Sequence, residues 1–262
     1  MKKMTLLTMS IGFVIGLLAV NSANAQVGLE TGHWNWTNPQ PHHDSVVEVL
    51  TPSGNGTGVV IMVCDDKPFK EGHEGFVLTA WHVIQDHAKS REIKVGYRNG
   101  KRAAGCKVVE YDKEMDIALL WVWVPESVAA AKLASESICH GTTLEFAGLG
   151  GGSNLKDNLR HFSGVASSPS NQQKIFADVS LLPGDSGGPV FNDRNEVVGV
   201  ISGGWFWWDG GVVATATKSH VPTTWPARAC NVAPIQKLLE KNKVQHIAAQ
   251  TRSNLDPTTK NR

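Results

Sequence analysis

The stretch PGDSGGPV, residues 183–190, sets an aspartate against a serine among three glycines and two prolines, just ahead of an apolar strand. A loop that loosens and fixes its backbone within so few residues holds one unusual shape, and the residue it presents is Ser186. A serine hydroxyl is a weak nucleophile on its own. It needs a base in hydrogen-bond reach, a third group to orient that base, and donors for the oxyanion formed when it attacks a carbonyl. LTAWHV (78–83) supplies the base: an apolar strand ends at Ala80 and His82 follows, where a short turn can present its ring. EMDIALLWV (114–122) supplies the acid, Asp116, at the start of a strongly apolar strand where a carboxylate is costly unless paired. Pairing with the imidazole N–H satisfies Asp116, fixes the tautomer and leaves the other ring nitrogen to take the serine proton. The chemistry is nucleophilic acyl transfer. Singly, a histidine after a strand is more often structural, and an aspartate before one is more often a turn residue. The weight lies in the three together.

The elements around these residues are short apolar runs separated by turn residues. SVVEVL (45–50), GVVIMV (58–63), GFVLTA (75–80), EIKVGY (92–97), CKVVEY (106–111) and DIALLWVWV (116–124) read as strands. The alanine-rich PESVAAAKLASES (125–137) breaks the rhythm as a mildly helical connector. TTLEFAGL (142–149), HFSGVAS (161–167), KIFADVS (174–180), GPVFN (188–192), EVVGVIS (196–202) and GVVATATK (211–218) form a second series. Two series of six strands without regular intervening helices predict an all-β fold of two small barrels. NVAPIQKLLEKNKV (231–244) spaces Val232, Ile235, Leu238 and Leu239 as one face of a short helix, with Pro234 near its first turn.

At the start, a basic Met1-Lys2-Lys3, an apolar run over Thr5 to Val20 and a small-x-small Ala23-Asn24-Ala25 read as a cleavable export signal over residues 1–25. Removing it leaves about 237 residues, enough for one large or two small cores, and no stable membrane association. The expected organisation is an extended lead-in over 26–44, a first barrel over 45–124, a connector over 125–140 and a second barrel over 141–230. A helix over 231–246 and a disordered tail over 247–262 complete it. Net charge is +1 with no basic block, which gives no reason to expect nucleic acid. Four cysteines, Cys64, Cys106, Cys139 and Cys230, favour two disulfides in an exported chain over free buried thiols, with three pairings open. Adjacent His42 and His43 could bind a metal, but in a polar lead-in such pairs are usually solvated, so no metal site is assigned and no cofactor is required.

LTAWHV, DIALL and GDSGGPV in that order resemble the trypsin-like, chymotrypsin-fold serine proteases, and the likeness runs more loosely from Ser45 to Leu239. It implies two six-stranded antiparallel β-barrels with the site in the cleft between them, His82 and Asp116 on the first and Ser186 on the second. It implies an oxyanion hole made by the amides of Gly184 and Ser186, with Asp185 bracing the loop from below. Ser180 would lie at the base of the primary specificity pocket, and Ser202, Gly203 and Gly204 along its wall. Small walls and a neutral base favour an uncharged, aromatic or large aliphatic side chain of a polypeptide substrate.

The departures are informative. No Ile-Val-Gly-Gly start follows an activation site, Val83 stands where a cysteine often follows the histidine, and an appended peptide-binding domain after Leu239 is not expected. SVVEVLTPSGNGTGVVI (45–61) is similar to bacterial exported trypsin-like peptidases, including the periplasmic stress proteases. GGWFWWDGG (203–211) fits equally a loop over the cleft or a satellite core. The leading expectation is a secreted or periplasmic serine endopeptidase of open oligomeric state. The alternatives are a catalytically silent relative that binds peptides or proteins in the same cleft, and an esterase on the same site.

Overall fold

The computed structural model describes residues 40–68, 72–150, 155, 159–167, 170–177, 179, 181–204 and 227–242. The export signal, most of the lead-in, Ser180, the strand expected over 211–218, the tryptophans after Gly204 and the C-terminal tail lie outside the described residues.

The first unit is one antiparallel sheet. Its strands are β1 (Val46–Thr51), β2 (Gly54–Pro68), β3 (Gly72–Thr79), β4 (Lys94–Gly96), β5 (Arg102–Ala104), β6 (Lys107–Asp112) and β7 (Ile117–Pro125), in the order β5-β4-β1-β2-β3-β7-β6. β1 and β2 form a tight hairpin in which Thr51 opposes Gly54, and β3 pairs with β7 along its whole length. Seven strands stand where six were expected, and the sheet curls without closing. The added strand, β5, is only three residues long. The other edge, β6, alternates exposed and half-buried positions and carries Lys107, Glu110 and Asp112, charges that suit an unpaired edge.

The second unit is a closed six-stranded barrel of β8 (Thr143–Gly148), β9 (Arg160–Ser167), β10 (Lys174–Ala177), β11 (Pro189–Phe191), β12 (Val197–Gly204) and β13 (Ala227–Asn231). β13 closes the barrel, a strand that the sequence pattern does not predict. It pairs with both β10 and β12 and is built from small residues that let those neighbours approach. Gly199 shows how close they come: a Cβ there would lie 2.4 Å from the Cys230 carbonyl oxygen.

Three apolar clusters fill the molecule. One, around Val49, Ile93 and Leu120, fills the first unit, and another, around Phe146, Ile175 and Ile201, fills the barrel. The third joins Leu78 and Leu119 of the first sheet to Leu149, Phe191 and Val200 of the second. Short helix α1 (Trp81–Ile84) follows β3, and α2 (Val232–Lys241) starts on an Asn231 cap whose side chain accepts from the Val232 amide at 2.8 Å. Val232, Ile235, Leu238 and Leu239 are buried, on the face that their spacing predicts.

The segment after Pro125 is extended rather than helical. The Ala131 amide donates to the Val60 carbonyl of the first unit, and Val197 of β12 accepts from the Ala134 amide at 3.0 Å and donates to the Lys132 carbonyl at 2.7 Å. Its alanines have good helix propensity, but these long-range backbone partners decide the conformation. The cysteines also depart from expectation. None of the four forms a disulfide among the described residues; three are buried and Cys139 is exposed. Cys106 and Cys230 sit in different apolar clusters, where they pack as small hydrophobes. Burial pushes the Cys106 thiol up to about 12 and Cys230 higher still.

Candidate active site

His82 is the second residue of α1, placed there because β3 ends at Thr79 and the chain turns immediately. Asp116 sits in the turn between β6 and β7 with φ of 55°, a left-handed conformation uncommon for a residue with a side chain. Three contacts from the histidine turn hold it. The Trp81 amide donates to its carbonyl at 3.2 Å, the His82 amide donates to Oδ1 at 2.9 Å, and His82 Nδ1 lies 2.7 Å from Oδ2. The side chain of His82 is one-third exposed and that of Asp116 is mostly covered, so the pair lies at a surface with its acid turned inward. Trp81 stacks on Tyr111 at 3.9 Å between centroids, with the Lys113 ammonium over both rings. That stack ties the histidine turn to the aspartate turn.

Ser186 lies in the loop between Pro183 and Gly188 and is nearly buried. Gly184 and Gly187 have φ of 98° and 87°, conformations that glycine adopts without strain. At Gly187 there is also no room: a Cβ would meet the Thr57 carbonyl oxygen at 2.1 Å and Thr79 Oγ1 at 2.3 Å. The loop is stitched to β12 by Gly187 N–H to the Ile201 carbonyl at 2.7 Å and Ile201 N–H to Gly188 at 2.8 Å. Among the described residues, the amides of Gly184 and Ser186 have no hydrogen-bond acceptor.

Residues from the first unit clamp the same loop. The Thr57 amide donates to the Ser186 carbonyl at 2.8 Å, its hydroxyl donates to the Gly184 carbonyl, and that hydroxyl accepts from the Leu149 amide at 3.1 Å. Thr79, three residues before His82, donates to the Thr57 carbonyl at 2.7 Å. Gly56 sits where the two halves meet: a Cβ there would lie 2.8 Å from Val83 and 3.0 Å from the Ser186 carbonyl. The histidine turn and the serine loop are therefore packed through one short stretch of β2.

Below the serine, Asp185 is fully buried and satisfied. Oδ2 accepts from Arg160 Nη1 at 2.9 Å and from the Leu182 amide at 2.7 Å, and Oδ1 accepts from the Gly150 amide at 2.9 Å. Burial pushes the Asp185 carboxyl up, while Arg160 and the two amides oppose that push. Burial brings the Arg160 guanidinium down to about 10, and Asp185 resists in turn. The cation facing this aspartate is thus an internal one from β9.

Of the expected pocket residues, Ser180 lies outside the described residues. Gly203 and Gly204 pair with Arg228 and Ala227 in the β12–β13 ladder. Ser202 has no ladder partner at the register shift between Ile201 and Gly203, and such a bulge re-aims a side chain. Its hydroxyl donates to Asp116 Oδ2 at 2.7 Å, crossing from the second unit to the first. Sequence reasoning found Ser202 but not this partner. It missed Thr57, Thr79 and Arg160 altogether, although an arginine heading a barrel strand is a signal that a buried acid faces it.

A second polar cluster corrects the expectation of solvated histidines. Pro41–Ser45 form a 3-10 turn that buries His43 completely and His42 largely. His42 Nε2 and His43 Nε2 meet the two oxygens of Glu145 at 3.0 and 2.9 Å, and His161 Nδ1 lies 3.0 Å from Glu145 Oε1. Burial works to raise the Glu145 carboxyl, but hydrogen bonds from His161 and His43 outweigh it and hold Glu145 far below the usual carboxylate range. Burial likewise holds His43 below its ordinary value against the pull of Glu145.

Comparison with known proteins places this geometry in context. A family model for the trypsin-like peptidase domain matches residues 56–200. The chain is 29% identical over 163 residues to a serine protease Do-like HtrA of Lactobacillus helveticus, covering 58% of this chain and 36% of that protein. It is 32% identical over 137 residues to a probable periplasmic serine endoprotease DegP-like of Marinomonas sp. (strain MWYL1), covering 50% of this chain and 28% of that one. The crystal structure of the serine endoprotease from Yersinia pestis superposes with a TM-score of 0.54 at 19% identity, over 78% of this chain and 67% of that one. The chain spans about a third of the length of the curated relatives it matches.

Proposed function

Because the chain belongs to the trypsin-like peptidase family, we propose that it is an exported serine endopeptidase in which Ser186, His82 and Asp116 act as one catalytic unit. The observation that carries this reading is the His82–Asp116 pair at 2.7 Å, locked to the second unit by Ser202 and packed against the glycine-bound Ser186 loop.

Ser186 Oγ attacks the carbonyl carbon of a peptide bond while its proton passes to His82 Nε2. Asp116 keeps the Nδ1–H tautomer and stabilises the imidazolium that forms. The negative charge collects on the former carbonyl oxygen, which the amides of Gly184 and Ser186 receive. Losing one such donor typically costs about 3 to 4 kcal/mol of transition-state stabilisation. The C–N bond then breaks, His82 returns its proton to the leaving amine, and an ester to Ser186 remains. Water attacks that ester with its proton taken by His82, and the acid leaves as Ser186 regains its hydrogen.

The residues that the family resemblance sets at the pocket, Ser180 at its base and Gly203 and Gly204 along its wall, carry neither an acid nor a base, which supports an uncharged side chain there. The leader-like first 25 residues and the relative named as periplasmic support export. Incubation of the mature chain with an unfolded protein substrate tests the reading. Fragmentation ending in uncharged residues, abolished by Ser186→Ala, is expected; intact substrate, or cleavage unchanged in the variant, overturns it.

A further inference from the structure

We propose that His42, His43 and Glu145 bind a divalent transition-metal ion of the zinc class and so pin the Pro41–Ser45 turn to the second barrel. The turn is shaped for this. Its backbone bond from the His43 amide to Gln40 and the Ser45 hydroxyl bond to the His42 carbonyl hold two consecutive imidazoles over β8, with ring centroids 4.2 Å apart. Phe191, cross-strand from Glu145 on β11, packs edge-on to His42 at 4.7 Å and floors the cluster.

The donor atoms of the three residues all lie within 4.8 Å of one another. A tetrahedral zinc ion with ligands at about 2.0–2.2 Å sets neighbouring donors about 3.3 Å apart. The observed nitrogen–oxygen contacts of 2.9 and 3.0 Å lie a few tenths of an ångström inside that spacing, and any wider donor separation, at most 4.8 Å, has to close around the ion. Two imidazoles and one carboxylate suit zinc, nickel or copper, whereas calcium and magnesium take oxygen ligands. His161 supplies the outer hydrogen bond that a ligating carboxylate commonly has. It lies diagonally across the β8–β9 ladder, where Ala147 is its direct partner, and so reaches the same face as Glu145.

One contact must yield. The Gln40 amide donates to His43 Nδ1 at 2.9 Å, so the ring hydrogen sits on Nε2 and points at Glu145. An ion at Nε2 requires that hydrogen on Nδ1 instead. The exchange is a change of tautomer with no net proton lost by His43, and it releases the amide of Gln40, an exposed residue, to water. Gln40 is therefore a reporter of occupancy.

The test uses the tag-free chain after chelation, titrated with Zn²⁺ by calorimetry and with Co²⁺ by visible absorption. One equivalent should bind at micromolar strength or better, and an excess of a hundred times Kd should raise Tm by about 5 °C or more. Mg²⁺ and Ca²⁺ should do neither. His42→Gln and Glu145→Gln should each weaken binding at least tenfold, while Ser186→Ala and His82→Ala should bind as the parent does. In the wild type, zinc should shift the Nε2 resonances of His42 and His43 and the Gln40 amide, a readout independent of whether the variants fold. No saturable binding by the folded parent, binding that survives both substitutions, or binding lost with His82→Ala overturns the proposal.

Discussion

Ser202 donates its hydroxyl to Asp116 Oδ2 at 2.7 Å, on the very oxygen that His82 Nδ1 meets at 2.7 Å. With the His82 amide on Oδ1, the carboxylate is engaged at both oxygens by groups from both β units. Hydrogen bonds to charged groups contribute about 1.5–3 kcal/mol. Ser202→Ala should lower kcat for peptide cleavage about tenfold or more with little change in KM, and stopped-flow acylation would measure it.

The Arg160–Asp185 pair makes a sharper stability prediction. Both side chains have no exposed surface, and removing one partner strands the other. Arg160→Met should cost about 3–5 kcal/mol in urea unfolding. Combining it with Asp185→Asn should recover part of that loss.

Glu48 gives a pH dependence of defined sign. It is buried on β1, its Oε1 has no hydrogen-bond partner among the described residues, and burial pushes its carboxyl up. A folded-state value above the unfolded one means that ionised Glu48 weakens the fold as pH rises past the unfolded value of about 4.3. Below that pH the group is protonated in both states and the penalty vanishes. Glu48→Gln should therefore raise the urea midpoint at pH 7, with the gain shrinking toward zero at pH 4.

Thiol chemistry tests the cysteines. Cys139 is exposed, whereas Cys106 and Cys230 are buried with thiols well above their ordinary range. A chromogenic disulfide reagent should find one fast thiol in the native protein and four after unfolding without reductant. Two or fewer in the unfolded chain would restore the disulfide expectation.

What was legible in the sequence was mainly local. Apolar runs such as GVVIMV and GFVLTA are strands because β-branched and aromatic residues with turn residues at their ends act over a few positions. β5 and β13 escaped because Arg102–Ala104 is too short to show alternation and Ala227–Asn231 lacks large apolar residues. The alanines after Pro125 misled because propensity is weak beside backbone partners such as Val60 and Val197.

The candidate site divides the same way. Ser186, His82 and Asp116 sit in short motifs whose neighbours betray the needed backbone shape. Thr57 sits far from those motifs in sequence, and its role comes from bonds to Gly184, Ser186 and Leu149 that no spacing rule exposes. His43 and Glu145, 102 positions apart, meet only once the lead-in turns onto β8. A polar lead-in hides a buried histidine because composition reports solvation only for a segment that stays extended.

An activated Ser186 nucleophile separates a working protease from a silent relative. The mature protein would be treated with a fluorophosphonate probe beside a Ser186→Ala control, and both weighed intact. One adduct on the parent and none on the control are expected. A folded parent that stays unmodified, or a control that is labelled equally, would contradict the protease reading.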